Sequence, residues 1–262
     1  MRYIFALTIA VGGLLLVNQA WADGNCGQDA REIRFVRADM VTLKGHMKKV
    51  LEAVGTLPAP YARKNDDWQL PASACRGKRG FRPIFVEYSG RFSVEQNQEK
   101  LQQEYQKKIM AAEASGNYQA ISKLAAQMQS AMMASSVVAQ NATPVDISIM
   151  ANRGGEGSVD PDAVVRDGAG FIALRQQGGS DDNETVVMYF DKVQLKDAHQ
   201  LASYNLDGDW RVPEKLSLIN IKIQISGSKA NVERLVKQID AAAVLNQLST
   251  ERVTVGMGPV GC

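Results

Sequence analysis

The sequence predicts an α+β fold: an N-terminal helix and a long antiparallel helical hairpin, followed by a mostly antiparallel sheet with a C-terminal strand–helix–strand. Three observations predict it. Apolar residues recur at steps of three and four up to about Val138, as they do on helices with one buried face. From Val145 the spacing becomes two, as in Val145-Asp146-Ile147-Ser148-Ile149. An alternating run over 218–225 is then followed at once by a helical stripe over 232–245.

The first 22 residues carry an address. Arg2 is the only charge before Asp23, an apolar stretch runs over 4–17, and Ala20-Trp21-Ala22 closes it. A basic start, an apolar middle of this length and a small-x-small end make a secretory leader, cleaved before Asp23. The apolar run is too short to span a bilayer comfortably, and the residues before Cys26 are wrong for a lipoprotein. The mature chain is therefore expected in the periplasm or outside the cell, where thiols oxidise. Cys26 and Cys75 are the natural disulfide pair, because they bracket the first helix. Cys262 ends a Gly- and Pro-containing tail and is left over.

Ile33, Val36, Met40, Leu43, Met47, Val50 and Val54 make the stripe of the first helix, with Asp29 as its N-cap and Gly55 as its stop. A long irregular connection over 55–80 follows, and then a short strand over 84–88. Leu101, Tyr105, Ile109 and Ala112, then Tyr118, Ile121, Ala125, Met128 and Met132, mark two helices with Ser115-Gly116-Asn117 between them. Gly suits a helix C-terminus and Asn an N-cap, so the pair reads as a coiled-coil-like hairpin over 94–138; one continuous helix is the competing reading. Dense apolar runs over 171–174 and 186–190 predict a hairpin of strands. The C-terminal unit resembles the strand–helix–strand of many two-layer α+β modules, a likeness of architecture alone. The chain thus divides into a leader (1–22), a helical region (23–143) and an α+β domain (144–262).

Composition excludes some function classes. With 45% hydrophobic and 22% charged residues among 262, the chain is neither disordered nor collagen-like. A net charge of +2 does not suit a general polyanion binder. Charge is nonetheless uneven: residues 23–92 hold 13 Lys and Arg against 8 Asp and Glu, whereas 93–262 hold 16 against 20.

Arg76, Lys78, Arg79 and Arg82 form the densest basic cluster. Four cations in seven residues suit an acidic partner, phosphate or an anionic lipid surface, or else a loop docked on the acidic half. Nucleic acid fits poorly, since Phe81 is the one stacking face nearby. Tyr118, Met128, Met132 and Met133 offer a second surface, where flexible thioethers on a small-residue helix accommodate apolar partners or a second copy of the chain. Asn205, Asp207 and Asp209 have the alternate spacing of a calcium loop, but the required Gly and the closing Glu are missing, so a turn is expected. His46 and His199 lack a Gly-x-Ser-x-Gly partner or a His-Glu-x-x-His frame, and no catalytic residue, metal or cofactor is assigned. The expected function is a non-catalytic interaction or scaffold protein of the cell envelope. A carrier of a lipid-like ligand is the alternative, and a hydrolase with dispersed site residues stands behind both.

Overall fold

The architecture below is that of a computed structural model, which describes Cys26 and residues 30–94, 98–176, 182–206 and 210–254. The leader, the Asp29 cap, Asp207, Asp209 and Cys262 lie outside the described residues.

Strand β1 (Arg31–Arg34) and helix α1 (Arg37–Val54) open the chain, followed by β2 (Tyr61–Gln69), β3 (Ser73–Gly77), β4 (Gly80–Phe81) and β5 (Val86–Val94). Helices α2 (Gln98–Ala114) and α3 (Tyr118–Asn141) come next, then β6 (Val145–Ala151), β7 (Glu156–Ser158), β8 (Val164–Gly168), β9 (Phe171–Arg175) and β10 (Asn183–Phe190). The chain continues through β11 (Ser203–Asn205), β12 (Trp210–Arg211), β13 (Ile221–Ser228), α4 (Lys229–Gln238), α5 (Ala241–Leu245) and β14 (Val253–Thr254).

The frame is a seven-stranded antiparallel sheet in the order β2-β5-β6-β13-β10-β9-β8. Period-two alternation decides its faces. Val86, Tyr88 and Phe92, Ile147 and Ile149, Ile221, Ile223 and Ile225, and Met188 and Phe190 point to one side and are buried. Leu43, Met47, Val50 and Val54 of α1, Val232 and Leu235 of α4 and Val244 of α5 cover that side. On the other face Arg91 and Asp146 are paired at 2.6 Å and exposed, while Ser89, Ser148 and Gln224 are half-buried. Near β8–β10 that second face carries a smaller core of Ile172, Leu195, Ala198 and Leu206, with the Tyr189 and Tyr204 rings 4.8 Å apart.

Several expectations need correction. The fold is not a helical N-terminal part followed by a sheet. The sheet already contains β2 and β5, and α2 and α3 lie in the connection between the adjacent strands β5 and β6. A long N-terminal helical hairpin or coiled coil is not supported. Ala112 is the one buried residue of α2 and α3 among the described residues, and Leu101, Tyr105, Ile121, Leu124 and Met128 stay half-exposed. The two helices touch each other but enclose no core, because the main apolar surface of the chain is sequestered in the sheet.

The first helix also starts later than its stripe suggests. Residues 31–34 pair with β3 as a strand, with Ile33 opposite Ala74, because Cys26 is bonded to Cys75 on that neighbouring strand. The connection over 55–80 is not irregular either. β2 pairs with β5 through a register shift between Lys64 and Asp67, with Asn65 at φ 57. Its charged, exposed residues hide the strand, since an edge strand takes its order from the neighbour's main chain. The C-terminal helical stripe breaks in two at Ile239. Arg166 Nη1 donates to the carbonyls of Val236 and Ile239 at the end of α4, and the Asp240 carboxylate accepts from Ala243 N–H to start α5. The last strand, β14, pairs with β12 and does not join the large sheet. Among the described residues no helix is long and apolar enough to cross a membrane.

Candidate interaction surface

A three-stranded sheet in the order β1-β3-β4 sits beside the main one. The disulfide joins Cys26 to Cys75 with the Cα atoms 5.3 Å apart. The sheet is docked at its other edge, where Phe81 N–H donates to Val212 O at 2.8 Å and Val212 N–H returns the bond at 2.9 Å. Gly80 makes that approach possible. It has φ +125, and a Cβ there would lie 2.6 Å from Val212 O.

This sheet concentrates positive charge at one end. Arg31 lies directly opposite Arg76, which in turn lies opposite Phe81, so the three form one cross-strand row. The Arg76 guanidinium sits 5.5 Å from the centre of the Phe81 ring. Lys78 and Arg79 form the β3–β4 turn, and Arg82 N–H donates to Cys75 O at 2.8 Å. All five cations are exposed. The structure therefore brings the four predicted residues together and adds Arg31, which sequence reasoning missed. Arg31 is 45 positions away, and only the β1–β3 pairing reveals it. Arg63 and Lys64, earlier in the same connection, are not part of the cluster; they belong to β2, where Arg63 pairs with Asp66 at 3.3 Å.

A groove of about 700 Å³ opens beside this row. Ile33, Phe81, Leu216, Leu218 and Leu248 give it an apolar floor, while Arg76, His46, Glu214 and Glu251 contribute polar groups. Its walls are held independently. Asp39, in the first turn of α1, accepts from Val36 N–H at 2.9 Å and from Lys215 Nζ at 2.7 Å, which ties the helix to the 213–218 segment. The hydrogen bond from Lys215 and then that from Val36 hold the Asp39 carboxyl below its ordinary value. Asn152, at φ 57, donates from Nδ2 to Ser217 O and Ile84 O and accepts from Ile219 N–H at 2.7 Å. Ser249 N–H donates to Leu218 O at 2.7 Å and fixes the last wall.

The other predicted residues lie elsewhere. Tyr118 starts α3 and is 80% exposed, Met133 is 58% exposed, and Met128 and Met132 are half-buried along the same helix. They line neither the groove nor the basic end. His46 lies in the groove wall with Nδ1 3.1 Å from Gln247 Oε1, an amide and not a carboxylate. His199 is exposed, with Nδ1 3.6 Å from Asp167. Neither arrangement is a base with an orienting acid inside an enclosed site. No group of three or more His, Cys, Asp or Glu that would hold a metal occurs among the described residues. The chain matches no protein-family model, no curated protein and no solved structure, so the chemistry of this surface carries the functional argument alone.

Proposed function

We propose that this is an exported, non-catalytic interaction protein of the cell envelope, which holds an anionic partner against the basic end of its small disulfide-bonded sheet. One observation carries the reading: five exposed cations converge on a rigid edge, with Arg31 facing Arg76 across two paired strands. Like charges placed directly opposite weaken a sheet, and a docked anion turns that repulsion into attraction. None of Arg31, Arg76, Lys78 and Arg79 has a carboxylate partner among the described residues. The leader pattern of residues 1–22 and the disulfide both favour an oxidising compartment. The exposed Tyr118 and Met133 on α3 favour a second, apolar contact surface on the same protein.

Cross-linking in the native host tests the proposal. The chain should be recovered from the envelope fraction without its leader, in a specific adduct that the double substitution K78E/R79E abolishes. An unchanged adduct from the charge-reversed protein would remove the basic end from the proposal. Recovery of the intact 262-residue chain from the cytosol with its thiols reduced would overturn export.

A further inference from the structure

Building on that reading, we propose that the partner is an acidic peptide segment, and that the groove beside the basic end receives one apolar side chain of it. The floor of Ile33, Phe81, Leu216, Leu218 and Leu248 is apolar and concave, with volume for a Leu- or Phe-sized group and the peptide around it. Arg76 and Phe81 belong to both features: they line the groove and form the row with Arg31. A segment with its apolar side chain on this floor has its flanking carboxylates beside Arg76, Arg31 and the Lys78–Arg79 turn. Charge complementarity therefore selects an acidic chain. A concave floor of this size is out of reach for a flat bilayer surface, whereas a side chain enters it. His46 and Gln247, paired on the wall, present polar atoms to a peptide main chain.

The groove is also built in advance of any ligand. The disulfide holds β3, Asn152 holds the 213–219 segment with two hydrogen bonds and ties it to Ile84 O with a third, and Lys215 ties that segment to α1. Binding therefore orders little of the protein, and the anchor's burial appears in the affinity.

The test uses the full disulfide-bonded chain and fluorescence anisotropy with two labelled peptides, each rich in Asp and Glu, differing only by Leu or Ala at the centre. The Leu peptide should bind roughly tenfold or more tightly. Thr42→Trp, placed at an exposed position of the groove wall, should erase that preference while leaving the Ala peptide's affinity in place. Ser217→Tyr, from the opposite wall, is the second plug should the first disturb folding. K78E/R79E should weaken both peptides. Equal affinity for the two peptides, or a Leu preference that survives both plugs, overturns the anchor proposal and leaves the basic interaction surface standing. Charge-dependent binding to phosphatidylglycerol vesicles with no binding to either peptide assigns the surface to lipid and also overturns it. Failure of the wider reading shows separately, as an envelope adduct indifferent to K78E/R79E.

Discussion

Arg252 and Asp191 form an ion pair that water barely reaches, with side chains 3% and 0% exposed and a 2.6 Å contact. Asp191 Oδ1 also accepts from Val193 and Gln194 N–H, while Arg252 donates to Ile219 O and lies over the Trp210 ring. Removing one partner strands the other charge in a poorly solvated place. Arg252→Met should therefore cost roughly 3–5 kcal/mol, and adding Asp191→Asn should recover part of it. Urea unfolding of the three proteins checks this, and a single-mutant cost below about 1 kcal/mol would contradict the assigned role. Asp39 makes a pH-dependent contribution. Its carboxyl titrates below the ordinary value of 3.8, so the folded state binds that proton less readily than the unfolded chain. The stabilisation is complete above the ordinary value and is lost as pH falls through the depressed one. Asp39→Asn should flatten the acid limb of the stability profile, which thermal melts at stepped pH would measure. At this scale the four cations of 76–82 were legible as a cluster, because they are neighbours in sequence. Arg31 and the Asp191–Arg252 pair were not, since pairs 45 and 61 positions apart leave no local pattern.

Among the elements, α2 and α3 stand out because they connect adjacent strands of one sheet yet bury almost nothing. Phe92 faces Val145 across β5 and β6, so a direct turn can replace the excursion without moving the sheet. Exchanging residues 95–142 for Asn-Gly should leave one cooperative unfolding transition and native Trp68 fluorescence, at a cost of roughly 1 kcal/mol. Loss of cooperativity would mean that the helices support the sheet. Their apolar stripe was visible at steps of three and four, and the helices are there, but a stripe does not say how deeply it is buried. The same blindness explains β1 and β2. Ile33 and Val36 fit a helical stripe as readily as a strand, and the polar 61–69 run has no alternation to read. Both become strands through main-chain bonds to β3 and β5, which lie far from any local signal.

For the molecule as a whole, one covalent link ties Cys26, ahead of β1, to the sheet that carries the basic end. The Cys26–Cys75 bridge spans 49 positions, and chain entropy values such a loop at roughly 4 kcal/mol. Cys26→Ser/Cys75→Ser should lower stability by up to about that amount. It should also weaken the acidic peptides more than Asp191→Asn does, because β1 and β3 form both the basic row and one wall of the groove. Equal peptide binding by the disulfide-free protein, checked by anisotropy beside its thermal melt, would show that main-chain pairing alone holds that wall.

The amino-acid sequence by itself determined the period-two strands that enter the sheet core, the candidate disulfide pair and the basic cluster, because each is written in neighbouring residues or in the small number of cysteines. Tertiary structure alone decided that one strand comes before the first helix and four more come between it and α2, that α2 and α3 enclose no core, and that Arg31, Arg76 and Phe81 meet beside an apolar groove. Those features depend on which distant main chains pair and which surfaces lose water, and such long-range choices have no local periodicity to reveal them.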